Sequence, residues 1–393
     1  MGLILNDLKN ACELEHVCDY VNNRTTSSMN YISTENMLPN KGGISESTII
    51  PPGTTTEYKI GDILISNIRP YFQKIWCADR CGGCSADVLC IRAKENTDSK
   101  YLYYLLSQQA FFDYVMSGAK GCKMPRGDKK QIMQWPVNIP AIDVQKKVVA
   151  ILSSLDNKIR LNRRINDNLE EQAKALFKSW FVDFEPFKGG KFVDSELGLI
   201  PKGWSTGTIY SYIDVIYGAP YKSALFNDKK QGLPLIRIRD LKTYTPQYYT
   251  TEVLPNTEYV ECGDIIAGMD AEFIPHIWRG EKGVLNQRLC KFVPKYDYVS
   301  KYYIYSLVYP KLAFVQSYKV GTTVSHLGKA DIDRFKVIVP PEDIIMQYSK
   351  IVNSYFAEIV KVSNENQILS SLRDTLLPKL MSGELSVEEV SLD

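Results

Sequence analysis

Apolar residues recur at alternating steps of three and four along two long stretches of this chain. The first stripe runs Leu152, Leu155, Ile159, Asn162, Asn166, Leu169, Ala173, Leu176 and Trp180. The second runs Val352, Tyr355, Ile359, Val362, Asn366, Leu369, Arg373, Leu376 and Leu380. A heptad stripe of this kind predicts two helices that bury one face against each other as a coiled coil. Four heptads take about 29 residues, or roughly 43 Å of helix. Asn166 and Asn366 fall at matching places on the stripes. They either pair across the seam and fix its register, or face solvent where it frays. Pro186, Gly189 and Gly190 are expected to break the first helix. Pro378 is expected to kink or restart the last turn of the second, and Gly383 to end it.

The remaining pattern is mixed and occurs twice. YKIGDILIS and ECGDIIAG each feed a Gly-Asp turn into a short apolar strand. QRLCKFVPK alternates like a strand, and SKYLYYLLSQQAFFDYVMS has helical spacing. Shifted by about 200 residues, the chain matches itself in order: GDILIS on GDIIAG, SKYLYYLL on SKYYIYSL, VNIPAIDVQ on VIVPPEDII, Pro140 on Pro340. That unit is too long for a solenoid repeat. The expected architecture is α+β: two similar globular domains separated by two long antiparallel helices, one chain imitating a symmetric dimer. The boundaries read as 1–140 and 191–340 for the globular parts, 141–190 for the first helix, and 341–393 for the second helix and tail.

Charge changes the picture locally rather than globally. Net charge is +2 over 393 residues, so no overall basic excess points to nucleic acid. Gly118–Lys130 nevertheless gathers Lys120, Lys123, Arg126, Lys129 and Lys130 against Asp128 alone. A second patch holds Lys158, Arg160, Arg163 and Arg164, and the chain closes on acidic residues. Nine cysteines, irregularly spread, fit reduced thiols. Cys77, Cys81, Cys84 and Cys90 cluster, but their gaps do not form the two close pairs of a zinc site, and core or surface thiols is the favoured reading. No apolar run spans a bilayer and no signal peptide opens the chain, which reads as cytoplasmic.

Enzyme chemistry is poorly supplied. The sequence has no GxxxxGK[ST], no GxGxxG after a strand, no HExxH and no GxSxG. No catalytic residue and no metal ligand is assigned. Two similar, non-identical domains on a helical ruler instead suit duplex DNA, whose half-sites recur about 34–36 Å apart. The candidate contacts in the first domain are Asn67, Arg69, Tyr71 and Lys74 in SNIRPYFQK, with Lys120, Lys123, Arg126 and Lys129. In the second they are Tyr221, Lys222, Arg237, Arg239, Lys319, Thr322, Thr323, Ser325, His326 and Lys329. These residue types neutralise phosphates, position the backbone or read base edges. Phe177, Trp180, Phe181, Leu376, Leu377 and Leu380 exceed what a two-helix seam consumes, which suggests a protein-docking surface at the helix ends.

ALFKSWFVDFEPF (Ala175–Phe187), LGLIPKGW (Leu197–Trp204) and LRDTLLPKLMSGEL (Leu372–Leu385), with GDILISNIRPYFQK and KVGTTVSHLGKADI, make the chain resemble the specificity subunit of a type I restriction–modification system. That resemblance implies two target-recognition domains reading the halves of a bipartite DNA sequence. It further implies that the helices bind two methyltransferase subunits, that restriction subunits join them, and that catalysis lies in those partners. S-adenosylmethionine, ATP and Mg2+ would belong to the partners and no cofactor to this chain. The two helix-closing segments differ from each other, and the first domain lacks the IPKGW opening. The competing reading is a stand-alone coiled-coil adaptor with two protein-binding domains.

Overall fold

The computed structural model describes residues 11–26, 29–47, 53–121, 123–319 and 326–388. By its contacts the chain divides into Met1–Asn157 with Ser371–Asp393, and Lys158–Ser370. Each of the long helices, Ile142–Phe181 and Glu342–Ser382, contributes residues to both units.

In the first unit a four-stranded antiparallel sheet has the order Cys18–Tyr20, Val88–Ala93, Ile63–Ser66, Ile75–Cys77. The GDILIS turn places Gly61 at φ +89°, a left-handed position suited to glycine. Side chains then alternate across the sheet. Ile63 and Ile65 face a core shared with helices Ser99–Leu106 and Gln109–Ser117. Leu64 faces a separate cluster with Tyr58, Trp76 and Cys84. A short pair, Ala11–Glu13 with Pro136–Asn138, brings the ends of the globular part together.

The second unit repeats this plan. Its sheet runs Ile213–Tyr217, Leu289–Pro294, Ile265–Gly268, Pro275–Ile277, and Ser205–Thr208 pairs with Lys336–Val339. Ile265 and Ala267 face the large core while Ile266 faces a smaller one. The units differ in their second sheet. Three strands, Arg24–Thr25, Thr55–Tyr58 and Gly82–Cys84, serve the first. Five serve the second, with Leu233–Ile236 parallel to Gly283–Leu285.

The predicted stripes are the faces the helices bury. Leu152, Leu155, Ile159, Ala173, Val352, Ile359, Val362 and Leu380 are buried, and so are Asn162 and Asn166. Within the second unit the helices run antiparallel, with Asn162 donating to Asn366 (3.0 Å) and Asn166 to Ser363 (3.0 Å). Asn166 and Asn366 therefore do not meet. In an antiparallel pair a position faces its own repeat only at the midpoint of the seam, and that midpoint lies near residue 164. Two other expectations are corrected. The first helix stops at Phe181, well before Pro186, because Phe184 turns left-handed (φ +53°) into the short turn Glu185–Phe187. Pro378 does not restart the second helix, which continues to Ser382 and ends ahead of Gly383 at φ +76°.

One ion pair ties the first long helix into the second unit. Arg279 donates to the Glu170 carboxylate, and Tyr302 donates to the Glu170 carbonyl at 2.8 Å. Burial pushes the Glu170 carboxyl up in spite of the arginine. Glu170→Ala should strand a guanidinium that is only 18% exposed. The expected loss is about 3 kcal/mol of unfolding free energy in urea titration. A loss of a few tenths, typical of a solvated pair, would refute the buried role.

Candidate nucleic-acid interface

In each unit the loop after the central strand is stitched to the loop after the helical layer. In the first unit Arg69 N–H donates to the Pro125 carbonyl (2.9 Å), and Gly127 N–H donates to that of Asn67 (3.4 Å). Lys120 and Arg126 exchange two 2.9 Å backbone bonds, which close an antiparallel bridge between these two residues. Gly127 is needed for the close approach, since a Cβ there would lie 2.8 Å from Val115 Cγ1 and 2.9 Å from Asn67 Oδ1. Asp128 then caps the helix Lys129–Met133 and takes the Lys120 ammonium at 2.9 Å. That lysine, with the cap N–H groups, holds its carboxyl below the usual range.

The second unit uses the same backbone stitch with other side chains. Leu327 N–H donates to the Met269 carbonyl (2.7 Å), and Asp270 bridges to His326. Ala271 is left-handed at φ +59°, as Arg69 is at +50°. Lys319 spends its ammonium on the Asp331 carboxylate (2.6 Å) and the His326 carbonyl (2.9 Å).

This geometry sorts the candidate contacts. At the first junction, Tyr71, Lys120, Lys123, Arg126 and Lys129 are exposed. Asn67 and Arg69 are half-buried, with Asn67 Oδ1 and Arg69 Nε unpartnered among the described residues. Lys74 turns inward to the Thr34 carbonyl (2.7 Å), where burial lowers its pKa, so it braces the loop. Lys222, Arg239 and Lys329 are exposed on the second unit. Thr322, Thr323 and Ser325 lie outside the described residues. Tyr221 is corrected: it is 3% exposed and donates to Thr257 at 3.0 Å, inside a small apolar cluster. Arg237 lies over the Tyr248 ring (4.3 Å) with its carboxylate partner Asp240 at 3.6 Å, so packing occupies it.

Of the expected docking set, Phe177, Trp180 and Leu376 are half-buried. Phe181, Leu377 and Leu380 are buried. Phe177, Trp180 and Phe181 lie against Tyr348, 4.9–6.2 Å between ring centroids. Leu376, Leu377 and Leu380 pack into the first unit's core. Among the described residues no group of His, Cys, Asp or Glu is arranged to hold a metal ion. Cys84 and Cys90 are buried in the sheet, and burial pushes the Cys77 thiol up to about 11. No described helix is long and apolar enough to cross a membrane.

Sequence reasoning missed three residues at the junctions. Asp87 meets Arg126 at 3.1 Å. Asp270 meets His326 Nδ1 at 2.6 Å and Arg288 at 3.4 Å. Asp87 and Arg288 stand two and one residues before the repeated Leu-Cys strands, and a charged residue just ahead of each strand is the available signal.

A family model described as the type I restriction modification DNA specificity domain matches residues 10–171 and 201–370. The chain is 28% identical over 325 residues to the type I restriction enzyme MjaIX specificity subunit of Methanocaldococcus jannaschii, covering 76% of this chain and 71% of that one. It is 24% identical to the HindI specificity subunit of Haemophilus influenzae, over 90% and 94% of the two chains. A crystal structure of the type I restriction–modification S subunit from M. genitalium is similar at 15% identity and a TM-score of 0.47, covering 96% of this chain and 98% of that one.

Lys123 and Lys129 are exposed on the first junction and are expected to meet phosphates. The double substitution K123Q/K129Q should weaken DNA binding about equally for all sequences. It should reduce the salt slope by about one per lysine. Titration of two unrelated duplexes at several salt concentrations checks this; a loss confined to one sequence would make the lysines base readers.

Proposed function

The chain belongs to the type I restriction–modification DNA specificity family, and from that premise we propose how its parts divide the work. It is a DNA-specificity subunit whose two target-recognition domains suit a bipartite sequence. Each domain presents one stitched pair of loops to one half-site. The observation that carries this reading is the junction built twice on one backbone plan with different side chains. A symmetric reader would repeat its side chains; here Arg126 stands against His326 and Asp87 against Arg288, as two unlike half-sites require.

We place catalysis outside this chain, in methyltransferase and restriction subunits that it holds together. S-adenosylmethionine, ATP and Mg2+ act in those partners, and the complex works in the cytoplasm. With Phe177, Trp180, Phe181, Leu376, Leu377 and Leu380 engaged internally, they support partner docking only indirectly, by fixing the helix ends. The exposed helix faces are the better docking candidates. The long helices set the spacer between half-sites.

Single-molecule methylome sequencing of a host carrying the system tests the core of this reading. Methylated adenines should define two different short half-sites around a non-specific spacer. One contiguous motif, or two identical halves, would overturn it. A chain that binds no DNA at any salt concentration would favour the adaptor reading.

Inserting one heptad into both long helices keeps the seam in phase. The expected result is a changed spacer with both half-sites unaltered. An unchanged spacer would reject the helices as the ruler.

A further inference from the structure

Three of the six lysines at the two junctions are spent. Lys74, Lys120 and Lys319 are anchored to carbonyls or carboxylates of their own unit. Lys123, Lys129 and Lys329 are exposed ammonium groups on flexible stems, which suit phosphates but carry little directional information. At each junction a carboxylate also holds an exposed arginine. At the first junction Arg126 is 57% exposed yet held by Asp87 at 3.1 Å. At the second, Asp270 holds both His326, 39% exposed, and Arg288, 58% exposed, at 2.6 and 3.4 Å.

These positions correspond through the repeat. Residues 126 and 326 sit on the same side of the inter-loop bridge, and the residue after each donates to the equivalent carbonyl, Asn67 or Met269. Residues 87 and 288 occupy equivalent places in the two sheets, since their carbonyls accept from Asn67 N–H (2.9 Å) and Met269 N–H (2.8 Å), with the charge exchanged: the acid is Asp87 in one unit, the base Arg288 in the other.

We propose that these carboxylate-braced side chains read the bases, Arg126 in one half-site and Arg288 with His326 in the other, with Asp87 and Asp270 as positioning residues. The inference rests on the DNA-reading function above. A base reader needs donors fixed in direction before contact, because a flexible donor loses entropy when it is ordered. A guanidinium paired through one nitrogen with a carboxylate still presents its remaining N–H groups outward. Two of them match O6 and N7 of guanine in the major groove, a contact phosphate binders do not make. His326 must donate through Nδ1, since a carboxylate only accepts. Its Nε2 then offers one atom to one base edge. The first unit therefore reads through a fork, and the second through a fork and a single point.

The test is the methylome of hosts whose complete system carries R126Q, R126K, R288Q, H326Q, D87N or D270N. R126Q should relax one base pair of one half-site, with discrimination there falling about tenfold to a hundredfold. R126K, which keeps the charge but loses the fork, should relax the same base pair. R288Q and H326Q should alter only the other half-site. D87N and D270N should loosen the positions of the residues they brace and no others. Uniformly weaker methylation with every motif intact would overturn the proposal, as would rescue of the motif by R126K. If R126Q abolishes methylation outright, R126K and D87N decide. A wild-type motif that is not bipartite would instead sink the functional reading itself.

Discussion

Both units depend on burying helix ends inside a sheet-and-helix core. In the second unit Phe181 of the first long helix lies 4.9 Å from Tyr348, 5.1 Å from Tyr303 and 6.1 Å from Trp204, ring to ring. Val352 and Ile345, at the start of the second helix, complete that core. In the first unit the exchange is reversed: Val148, Ile151 and Leu152 open the first helix, while Leu377, Leu380 and Met381 close the second. Aromatic pairs contribute about 0.5–1.5 kcal/mol each beyond the area they bury. Removing one such ring typically costs about 3–5 kcal/mol, a large part of a domain's net stability. Each unit is thus finished by a helix end from the other repeat. A single repeat would leave that end in water, unless a second copy of the chain supplied the missing segment.

The same constraint explains what could be read from the sequence. Register of the repeat, the two stripes, the α+β pattern and the Gly-Asp turns follow from spacing, and spacing survives folding. Exposure does not. Phe177, Trp180 and Phe181 outnumber the needs of a two-helix seam, so linear reasoning offers them to a partner. The chain itself supplies that partner in Tyr303, Tyr348 and Trp204. The LGLIPKGW segment has its use here, since Trp204 also meets Phe184 and Phe187 edge to face. Tyr221 and Arg237 depart from the linear reading for a related reason. Donor-rich loop segments look solvated until the second sheet of five strands is seen to cover them, and nothing in the first repeat announces that larger sheet. Asn166 was matched to Asn366 by sequence position, whereas antiparallel pairing matches positions by distance from the midpoint.

The junctions show how one frame can carry two readers. The stitch is made by backbone N–H and carbonyl groups, so it places no demand on exposed side chains. The demand falls underneath. In the first unit a glycine at 127 lets Asn67 and Val115 close in. In the second, Leu327 is fully buried and Met269 packs on the same core. A polar residue over glycine has its counterpart in methionine over leucine, a paired change of volume beneath an unchanged hydrogen bond. Exchanging the exposed loop residues alone would therefore leave the backbone in place, while exchanging residue 127 or 327 alone would clash or leave a void. The outer face can diverge freely only because the inner face changed in pairs. That separation lets a duplicated fold come to recognise two unlike sequences without losing the frame that holds them.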